Sequence, residues 1–429
     1  MNREGEAKYL MAARIVTAGP AGVVLGGTLA IEGSRIAAIL TNPVSSSENV
    51  FDFGDATILP GIVDAHAHPT LFADGRNYEE MMQEPNELMV LVGLRNLRNH
   101  LESGVTTVRD NGGRDRNAFY VRDAIIRGFA IGPRLLVSGR PITHTSGHFH
   151  FCHEVADGPD EMTRSVRKLV AEGADHIKIM ASGGATAGNQ PFYPSYGWTE
   201  LKAAVDTAHE LGRLTTAHCR SRQAMENALK AGLDCIEHVE FLVPRGPHPL
   251  GTGRIAEGLN QYDPDLAERL LDSEMFLSFT PQTGGYDSLV RLRSTAKERV
   301  LTDTESKELE RLEKYYESKL GILANLIRDG FLPRLAISSD AGVFDTEFGR
   351  MDFGLELAVA AGMTHLQAIE AVTRVPAEAC GIGSTTGSLD VGKEADVLVV
   401  RGNPLEDLAA IRDVVAVYLA GTQVTRPPH

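Results

Sequence analysis

Residues 59–68, LPGIVDAHAH, place two histidines, His66 and His68, directly after a short apolar segment. Side chains at positions i and i+2 of a β-strand project from the same face, so the two imidazoles can bind one cation together. One such pair is weak evidence, because an isolated histidine is more often a surface or core residue than a metal ligand. The significance of this stretch therefore depends on which residues stand at the ends of the other strand-like segments of the chain.

Four further residues that could bind metal also come directly after short apolar segments. They are Lys178 in HIKIMASGG, His218 in RLTTAHC, His238 in DCIEHVEF and Asp340 in RLAISSDAG. Parallel (β/α) barrels carry their active sites at the C-terminal ends of the strands. Six such residues in this arrangement predict a barrel whose C-terminal face binds divalent metal ions.

The middle of the chain supports this fold, because strand-like and helix-like segments alternate eight times. We predict strands over residues 58–65, 105–110, 134–138, 176–181, 214–218, 235–240, 275–280 and 335–339. No GxGxxG motif follows the first of them, which argues against an open dinucleotide-binding sheet. The predicted class is α/β, with a (β/α)8 TIM-type barrel over residues 58–386.

Both ends of the chain carry short alternating segments that are separated by turn residues, which is typical of antiparallel hairpins. Examples are AARIVTAG and GTLAIEGSRIAAI near the N-terminus and GSLDVGKEADVLVV near the C-terminus. A barrel takes roughly 250 residues, and the chain has 429. We predict that residues 1–57 and 387–429 together form a small β-sandwich domain.

Composition limits the classes of function that the chain can have. With 43% apolar and 23% charged residues it resembles an ordinary globular protein. Its net charge of −15 argues against nucleic acid or an anionic membrane as a partner. No apolar run approaches the about 20 residues of a membrane span, the N-terminus has no signal-peptide pattern, and the four cysteines form no CxxC pair. We expect a cytoplasmic homo-oligomer that acts on a small molecule.

The order and context of the six residues resemble the amidohydrolase superfamily of metal-dependent hydrolases. The resemblance extends over residues 12–423 and includes GSLDVGKEADVLVVRGNPLED, which is similar to a C-terminal signature of these proteins. It is greatest for the binuclear-metal branch, which contains imidazolonepropionases, prolidase-like dipeptidases, and hydrolases of phenylureas and carbamates. It implies two divalent ions, for which histidine and carboxylate ligands favour zinc, with manganese, cobalt or iron as alternatives.

The resemblance also implies a role for the conventional ligands. His66, His68 and Asp340 bind one ion, and His218 and His238 bind the other. Two such ions acidify a bridging water to give hydroxide near neutral pH, and they polarise the scissile carbonyl group. Asp340 accepts the proton of the attacking water and transfers it to the leaving nitrogen.

Lys178 is the unusual member of the set, because an ammonium group cannot bind a cation. In the resembling family, a lysine at the end of the fourth strand carries a carboxyl group derived from CO2 and bridges the two metals. HIKIMASGG matches that position, so we predict that Lys178 is carboxylated. The alternative is an ordinary lysine that pairs with a nearby acid.

His148 is the candidate for stabilising the carbonyl oxygen of the substrate, and so for both catalysis and substrate binding. It lies in PITHTSGHFHFCH after the third strand, and this stretch resembles a family segment with a histidine at the matching position. The neighbouring His144, His150 and His153 have no zinc-binding spacing. We expect those three to be loop residues, some of them hydrogen-bonded.

Arg220 is the candidate for substrate recognition, at a position where the chain departs from the family pattern. Prolidase-like members commonly have His-Ala-Tyr at the end of the fifth strand, whereas residues 218–220 here are His-Cys-Arg. An arginine could bind a substrate carboxylate with two parallel hydrogen bonds. It could equally belong to a structural ion pair.

The segment 302–330 has a long, charge-rich helical pattern. Glutamates and basic residues at i, i+3 and i+4 spacing are typical of a solvated helix. The alternative is a lid that carries Tyr315 and Tyr316 to the mouth of the barrel.

The leading hypothesis is a metal-dependent amidohydrolase that cleaves an amide, urea or carbamate C–N bond of a small molecule. Its substrate would be an Xaa-Pro-like or N-acyl amino acid, or an aryl urea or carbamate. Alternatives are a cyclic amidine or imidazolone hydrolase or deaminase, and a non-catalytic barrel scaffold. Deaminases usually lack the bridging lysine, and a scaffold would show degenerate ligands, whereas all six are present here.

Overall fold

The computed structural model describes residues 7–44, 49–245 and 258–424. Its strands, in chain order, are β1 (Lys8–Met11), β2 (Arg14–Val16), β3 (Val23–Leu25), β4 (Thr28–Glu32), β5 (Arg35–Leu40), β6 (Val50–Asp52), β7 (Ala56–Pro60), β8 (Ile62–Ala67), β9 (Val105–Asp110), β10 (Arg134–Val137), β11 (His176–Met180), β12 (Leu214–Ser221), β13 (Cys235–Pro244), β14 (Gly258–Asn260), β15 (Phe276–Phe279), β16 (Leu335–Ile337), β17 (Val397–Arg401), β18 (Val414–Leu419) and β19 (Thr422–Gln423).

The α-helices of the same ranges are α1 (Tyr78–Met81), α2 (Asn86–Glu102), α3 (Asn117–Ile126), α4 (Pro159–Ala171), α5 (Trp198–Glu210), α6 (Arg222–Ala231), α7 (Pro264–Leu271), α8 (Tyr286–Glu298), α9 (Asp303–Arg328), α10 (Met351–Ala360), α11 (His365–Ala371) and α12 (Arg374–Ala379). Within these ranges, no helix is both long enough and apolar enough to cross a membrane.

Eight parallel strands of the described chain form the barrel. One sheet has the order β10-β9-β8, and the other runs β11-β12-β13-β15-β16. Backbone hydrogen bonds join the two sheets at both edges, since Asp340 N donates to His66 O over 2.7 Å and Ile142 N donates to Lys178 O over 2.9 Å. The prediction of an α/β fold with a TIM-type barrel is confirmed.

Strands from both ends of the chain form two further sheets, with the orders β5-β4-β1-β6 and β19-β18-β17-β7-β2-β3. Their side chains share an apolar core of their own, which includes Leu10, Ile15, Leu29, Val397 and Tyr418. This is the small β-sandwich that the terminal segments predicted.

The strand predicted over residues 58–65 is two strands in the structure. β7 pairs with β17 in a sheet of the sandwich, and β8 is the first strand of the barrel. Gly61 separates them, at a point where an added Cβ would lie only 2.1 Å from Oγ1 of Thr106. Both strands are buried throughout, so hydrophobicity alone could not locate the junction.

Helix α9 lies against the segments that follow the barrel strands. Thr302 begins it with a capping box closed by Glu305. One face of the helix is buried and includes Leu312, Tyr316 and Lys319. The helix is therefore solvated on one side only, and its buried face carries polar groups toward the C-terminal end of the barrel.

Candidate metal centre and active site

The predicted metal ligands meet at the C-terminal end of the barrel. Asp340 Oδ1 is 3.2 Å from His66 Nε2 and 3.4 Å from His68 Nε2. Potential ligand atoms of His66, His238 and Asp340 all lie within 4.8 Å of one another. The sequence assigns His66 and Asp340 to one ion and His238 to the other, so two neighbouring metal sites would share this space.

His218 and Lys178 complete the group. The ring of His218 lies 4.5 Å from that of His238, measured between centroids. Lys178 is fully buried in the middle of β11, two residues before the end of the strand, whereas the sequence predicts it at the end. Its charge lowers the pKa of His66, His218 and His238, although burial is the largest cause of each shift. All six predicted ligands therefore face one region.

Several buried atoms in this region lack hydrogen-bond partners. Among the described residues, none bonds to Lys178 Nζ, His238 Nε2 or Asp340 Oδ1. Most buried polar groups are satisfied, so a group of unpaired ones requires an explanation. Nitrogen and carboxylate-oxygen ligands in one buried place fit divalent metal ions, and a carboxyl group on the nitrogen of Lys178 would give this side chain anionic oxygens that can bind them.

Hydrogen bonds behind the first two histidines orient their rings. His66 Nδ1 donates to Glu237 Oε2 over 2.9 Å, and His68 Nδ1 donates to the carbonyl oxygen of Gly112 over 2.8 Å. Arg109 in turn donates to the second oxygen of Glu237 over 2.7 Å. With Nδ1 engaged as a donor, each ring presents the lone pair of Nε2 toward Asp340.

His218 and His238 are oriented differently. His218 Nε2 donates to the carbonyl oxygen of Gly183 over 3.1 Å, which leaves its Nδ1 as the lone-pair atom. His238 Nδ1 bonds to the hydroxyl of Thr280 over 2.9 Å, so its unpaired Nε2 is available to an ion.

The protonation states of these side chains suit metal binding. Burial is the main reason that the pKa values of His66, His218 and His238 fall, so the rings are neutral near pH 7. Burial favours protonation of Asp340, but His66 and His68 outweigh it and lower the pKa of this carboxyl group. Burial also lowers the pKa of Lys178 to about 8, which increases the fraction of neutral amine that can react with CO2.

Two candidate ligands have an unusual backbone conformation. His238 and Asp340 have φ angles of 70° and 57°, and the β-branched Val239 has a φ of 53°. Non-glycine residues rarely adopt this left-handed region, and such strain often occurs at functional sites. No sequence pattern signals it, because neither stretch contains a glycine at these positions.

His148 lies where the sequence places it, beside the metal ligands. Its ring is buried and 4.6 Å from that of His218. Nδ1 of His148 is 2.7 Å from the hydroxyl oxygen of Thr186, and that oxygen also accepts a hydrogen bond from the backbone N–H of Phe149 over 3.2 Å. The hydroxyl proton of Thr186 can then point to Nδ1, which leaves the ring proton on Nε2.

The other histidines of this loop have local partners. His144 and His150 bond through Nδ1 to backbone carbonyl oxygens of their own loop, and His153 bonds to the carboxylate of Asp115. These are hydrogen-bonded loop histidines, as expected from their spacing.

Arg220 forms an ion pair, which was one of the two alternatives for it. Its Nε and Nη2 lie 2.7 Å and 2.6 Å from the same oxygen, Oε2 of Glu240. Lys319 of α9 lies 3.5 Å from the other oxygen of Glu240, and the hydroxyl of Tyr315 lies 3.4 Å from it. Glu240 and Lys319 are not predicted from the sequence, although a glutamate inside the apolar stretch CIEHVEF was a possible signal.

An aromatic group borders the same region. Tyr78 of α1 contacts Phe149 at 5.0 Å, Phe151 at 5.6 Å and His148 at 5.9 Å, measured between ring centroids. Tyr78 is not predicted from the sequence, because a four-residue helix gives no periodic pattern. An aromatic wall of this kind can accept an apolar part of a substrate.

Comparison with known proteins agrees with this geometry. Residues 57–424 match the amidohydrolase family. The chain belongs to this family. An ochratoxinase of Aspergillus niger is 26% identical over 392 residues, which cover 84% of this chain and 73% of that protein.

Two solved structures show how far the fold is shared. A Xaa-Pro dipeptidase with methionine bound in its active site is 25% identical, with a TM-score of 0.79 over 98% of this chain and 100% of that one. Phenylurea hydrolase B is 20% identical, has a TM-score of 0.77 over 98% and 97% of the two chains, and shares the fold. The prediction of the family is confirmed, and the protein is a hydrolase that acts on carbon–nitrogen bonds.

Proposed function

We propose that the protein is a binuclear metal amidohydrolase that cleaves the amide, urea or carbamate C–N bond of a small molecule. The observation that carries the proposal is the group of buried nitrogen and oxygen atoms on Lys178, His238 and Asp340 that have no hydrogen-bond partner among the described residues. Such atoms are costly unless something binds them. The family and the ochratoxinase and dipeptidase relatives support the same reaction class.

In this proposal all six predicted ligands hold two divalent ions, with zinc favoured by the donor set. They are His66, His68, Lys178, His218, His238 and Asp340. Lys178 takes part as a carboxylated side chain. When bound, the ions acidify water and polarise a carbonyl group.

Two side chains then perform the proton and charge chemistry. Asp340 has a lowered pKa, so it is ionised at neutral pH and can accept the proton of the attacking water. It passes that proton to the nitrogen of the leaving amine. His148 carries its proton on Nε2 when Thr186 donates to Nδ1, and it donates to the substrate oxygen as negative charge develops there.

The alternative functions fit these observations less well. A deaminase of cyclic amidines would not need Lys178, yet this lysine is fully buried and none of the described residues bonds to its amine. A non-catalytic scaffold would have no reason to keep unpaired donors on Lys178, His238 and Asp340. Cytoplasmic location, homo-oligomerisation and a small-molecule substrate remain part of the proposal.

Metal analysis and a hydrolysis screen test the proposal together. Elemental analysis of the purified protein should find two divalent metals per chain. Metal-loaded protein should hydrolyse at least one member of a set of N-acyl amino acids, Xaa-Pro dipeptides and phenylureas. A folded protein that takes up no metal and cleaves none of them would favour the scaffold.

A further inference from the structure

Three charged side chains form a buried group beside the metal centre, here called the mouth cluster: Arg220, Glu240 and Lys319. Arg220 Nε donates to Oε2 of Glu240 over 2.7 Å, and Nη2 lies 2.6 Å from the same oxygen. Lys319 Nζ is 3.5 Å from the other oxygen and donates to the carbonyl oxygen of Thr283 over 3.0 Å. The side chains of Glu240 and Lys319 are 2% and 1% exposed, and that of Arg220 is 20% exposed.

The charges of the mouth cluster do not cancel. Two cations share one carboxylate, which leaves one positive charge in a place where water is largely excluded. An uncompensated buried charge is expensive, and a lysine that served packing alone would be better replaced by an apolar side chain. Asp340 is the other carboxylate whose charge acts on Lys319, but Asp340 belongs to the metal centre, where the proposed ions would balance its charge.

The position of the mouth cluster ties it to the reaction site. Arg220 follows His218 by two residues on β12, and Glu240 follows His238 by two residues on β13. Lys319 comes from α9, which lies outside the barrel strands. Helix α9 therefore places a second cation next to the residues that would hold the metal ions.

The two cations also keep unused donors. A guanidinium group has five N–H donors, and in the described part of the chain Arg220 directs only Nε and Nη2 toward Glu240, with a hydrogen bond from Nε. An ammonium group has three, of which Lys319 directs one to Thr283 and one toward Glu240. Charge and free donors together are what a carboxylate requires.

We propose that Arg220 and Lys319 jointly bind a carboxylate of the substrate, so that the protein cleaves N-acyl amino acids or peptides with a free C-terminal carboxylate in preference to neutral ureas. This inference rests on the proposed hydrolase function and names its substrate class. Glu240 is a positioning residue, because it fixes both cations without contacting the substrate. Lys319 is the specificity-determining residue that the sequence does not reveal.

Matched substrates test the inference on the unmodified, metal-loaded protein. Each pair keeps the scissile bond and removes only the carboxylate: an Xaa-Pro dipeptide against the Xaa-pyrrolidide, and N-acyl-L-phenylalanine against the N-acyl-2-phenylethylamine. The carboxylate-bearing member should have a kcat/KM about 10- to 100-fold higher, as expected for a charge-assisted hydrogen bond. Equal rates within a pair, or a preference for phenylureas, would overturn the carboxylate site and leave the hydrolase function standing. Failure to cleave any C–N substrate would instead contradict the proposed function.

Lys319→Met tests the residue itself, with Lys314→Met as the matched control. Lys314 lies on the same helix but is 73% exposed and pairs with Glu310. Lys319→Met should raise the KM of the carboxylate-bearing substrate about tenfold or more while kcat and the neutral analogue change little. Lys314→Met should change neither.

A binding measurement separates recognition from turnover. Calorimetry with the amino-acid product, L-proline or L-phenylalanine, should show weaker binding to Lys319→Met than to the parent and to Lys314→Met. Unchanged KM and product affinity in a folded Lys319→Met variant would overturn the role of Lys319. If that variant does not fold, the matched substrates on the parent protein decide the question.

Discussion

The metal centre and the mouth cluster lie side by side, but the first lacks hydrogen-bond partners and the second lacks charge balance. In the metal centre, single atoms such as Lys178 Nζ and His238 Nε2 have no partner among the described residues. In the mouth cluster, Arg220 and Lys319 both have a partner in Glu240, and only the total charge is unbalanced. Buried atoms without partners indicate tightly bound metal ions. An excess of positive charge indicates an anionic ligand that binds and dissociates during turnover.

The two regions are also held in different ways. The metal ligands lie in barrel strands or directly after them, and hydrogen bonds to Glu237 and Gly112 fix the rings of His66 and His68. The mouth cluster depends on a contact between β13 and the separate helix α9. Changes in the first region should therefore abolish chemistry, and changes in the second should alter the choice of substrate.

The largest effect should come from Lys178→Ala. It removes the predicted bridging ligand, so at least one metal should be lost, and activity should fall by more than the roughly 10²–10⁴-fold expected for loss of one proton-transfer group. Elemental analysis measures the metal, and short carboxylic acids added to the variant should restore part of the activity. Full metal occupancy together with normal turnover would show that Lys178 does not bridge.

A smaller loss is expected for Asp340→Asn. The amide can still contact a metal but cannot accept the proton, so kcat should fall about 10²–10⁴-fold with much less change in KM. Steady-state kinetics on the best substrate of the screen measure both constants. A kcat within tenfold of the parent would show that another group transfers the proton.

The residues of the metal centre could be predicted because each belongs to a local pattern. An apolar strand followed by His66, His218 or Asp340 is visible in a few letters, and parallel strands bring their ends together. The groups behind the ligands could not be predicted. Glu237 reaches His66 across 171 positions, and only the closed barrel brings them together.

Glu240 and Lys319, the partners of Arg220 in the mouth cluster, could not be predicted for a related reason. Lys319 lies in a helix with many charges, and nothing local distinguishes it from Lys314, although one side chain is 1% exposed and the other 73%. The junction at Gly61 was misplaced because the strands on both sides are equally apolar. In each case a partner that is distant in the sequence determines the structure at that position. The local spacing of residues carries no information about that partner.

Thr186→Val should have a moderate effect that is confined to the chemical step. Without the hydroxyl, His148 loses the hydrogen bond that places its proton on Nε2, so kcat should fall about tenfold. His148→Ala should cost more, about 10²–10³-fold. Thr186→Ser keeps the hydroxyl and should retain most of the activity. Equal losses in the Val and Ser variants would mean that Thr186 acts through packing alone.

The smallest effect should be a dependence of KM on pH that belongs to the mouth cluster alone. Burial lowers the pKa of Lys319 to about 8, against the opposing influence of Glu240 and Asp340, while Arg220 beside it stays charged. Below pH 8 the ammonium is present and binds a carboxylate. Above pH 8 the free protein loses this proton, so the KM of an anionic substrate should rise several-fold by pH 9.

Comparing substrates isolates this effect from other titrations. The neutral pyrrolidide meets the same Lys178, Tyr315 and metal ligands but has no carboxylate, so the ratio of the two KM values reports the mouth cluster alone. In Lys319→Met the rise of that ratio above pH 8 should disappear. A rise that persists in the variant would assign the titration to another group, and it would mean that Arg220 alone recognises the carboxylate.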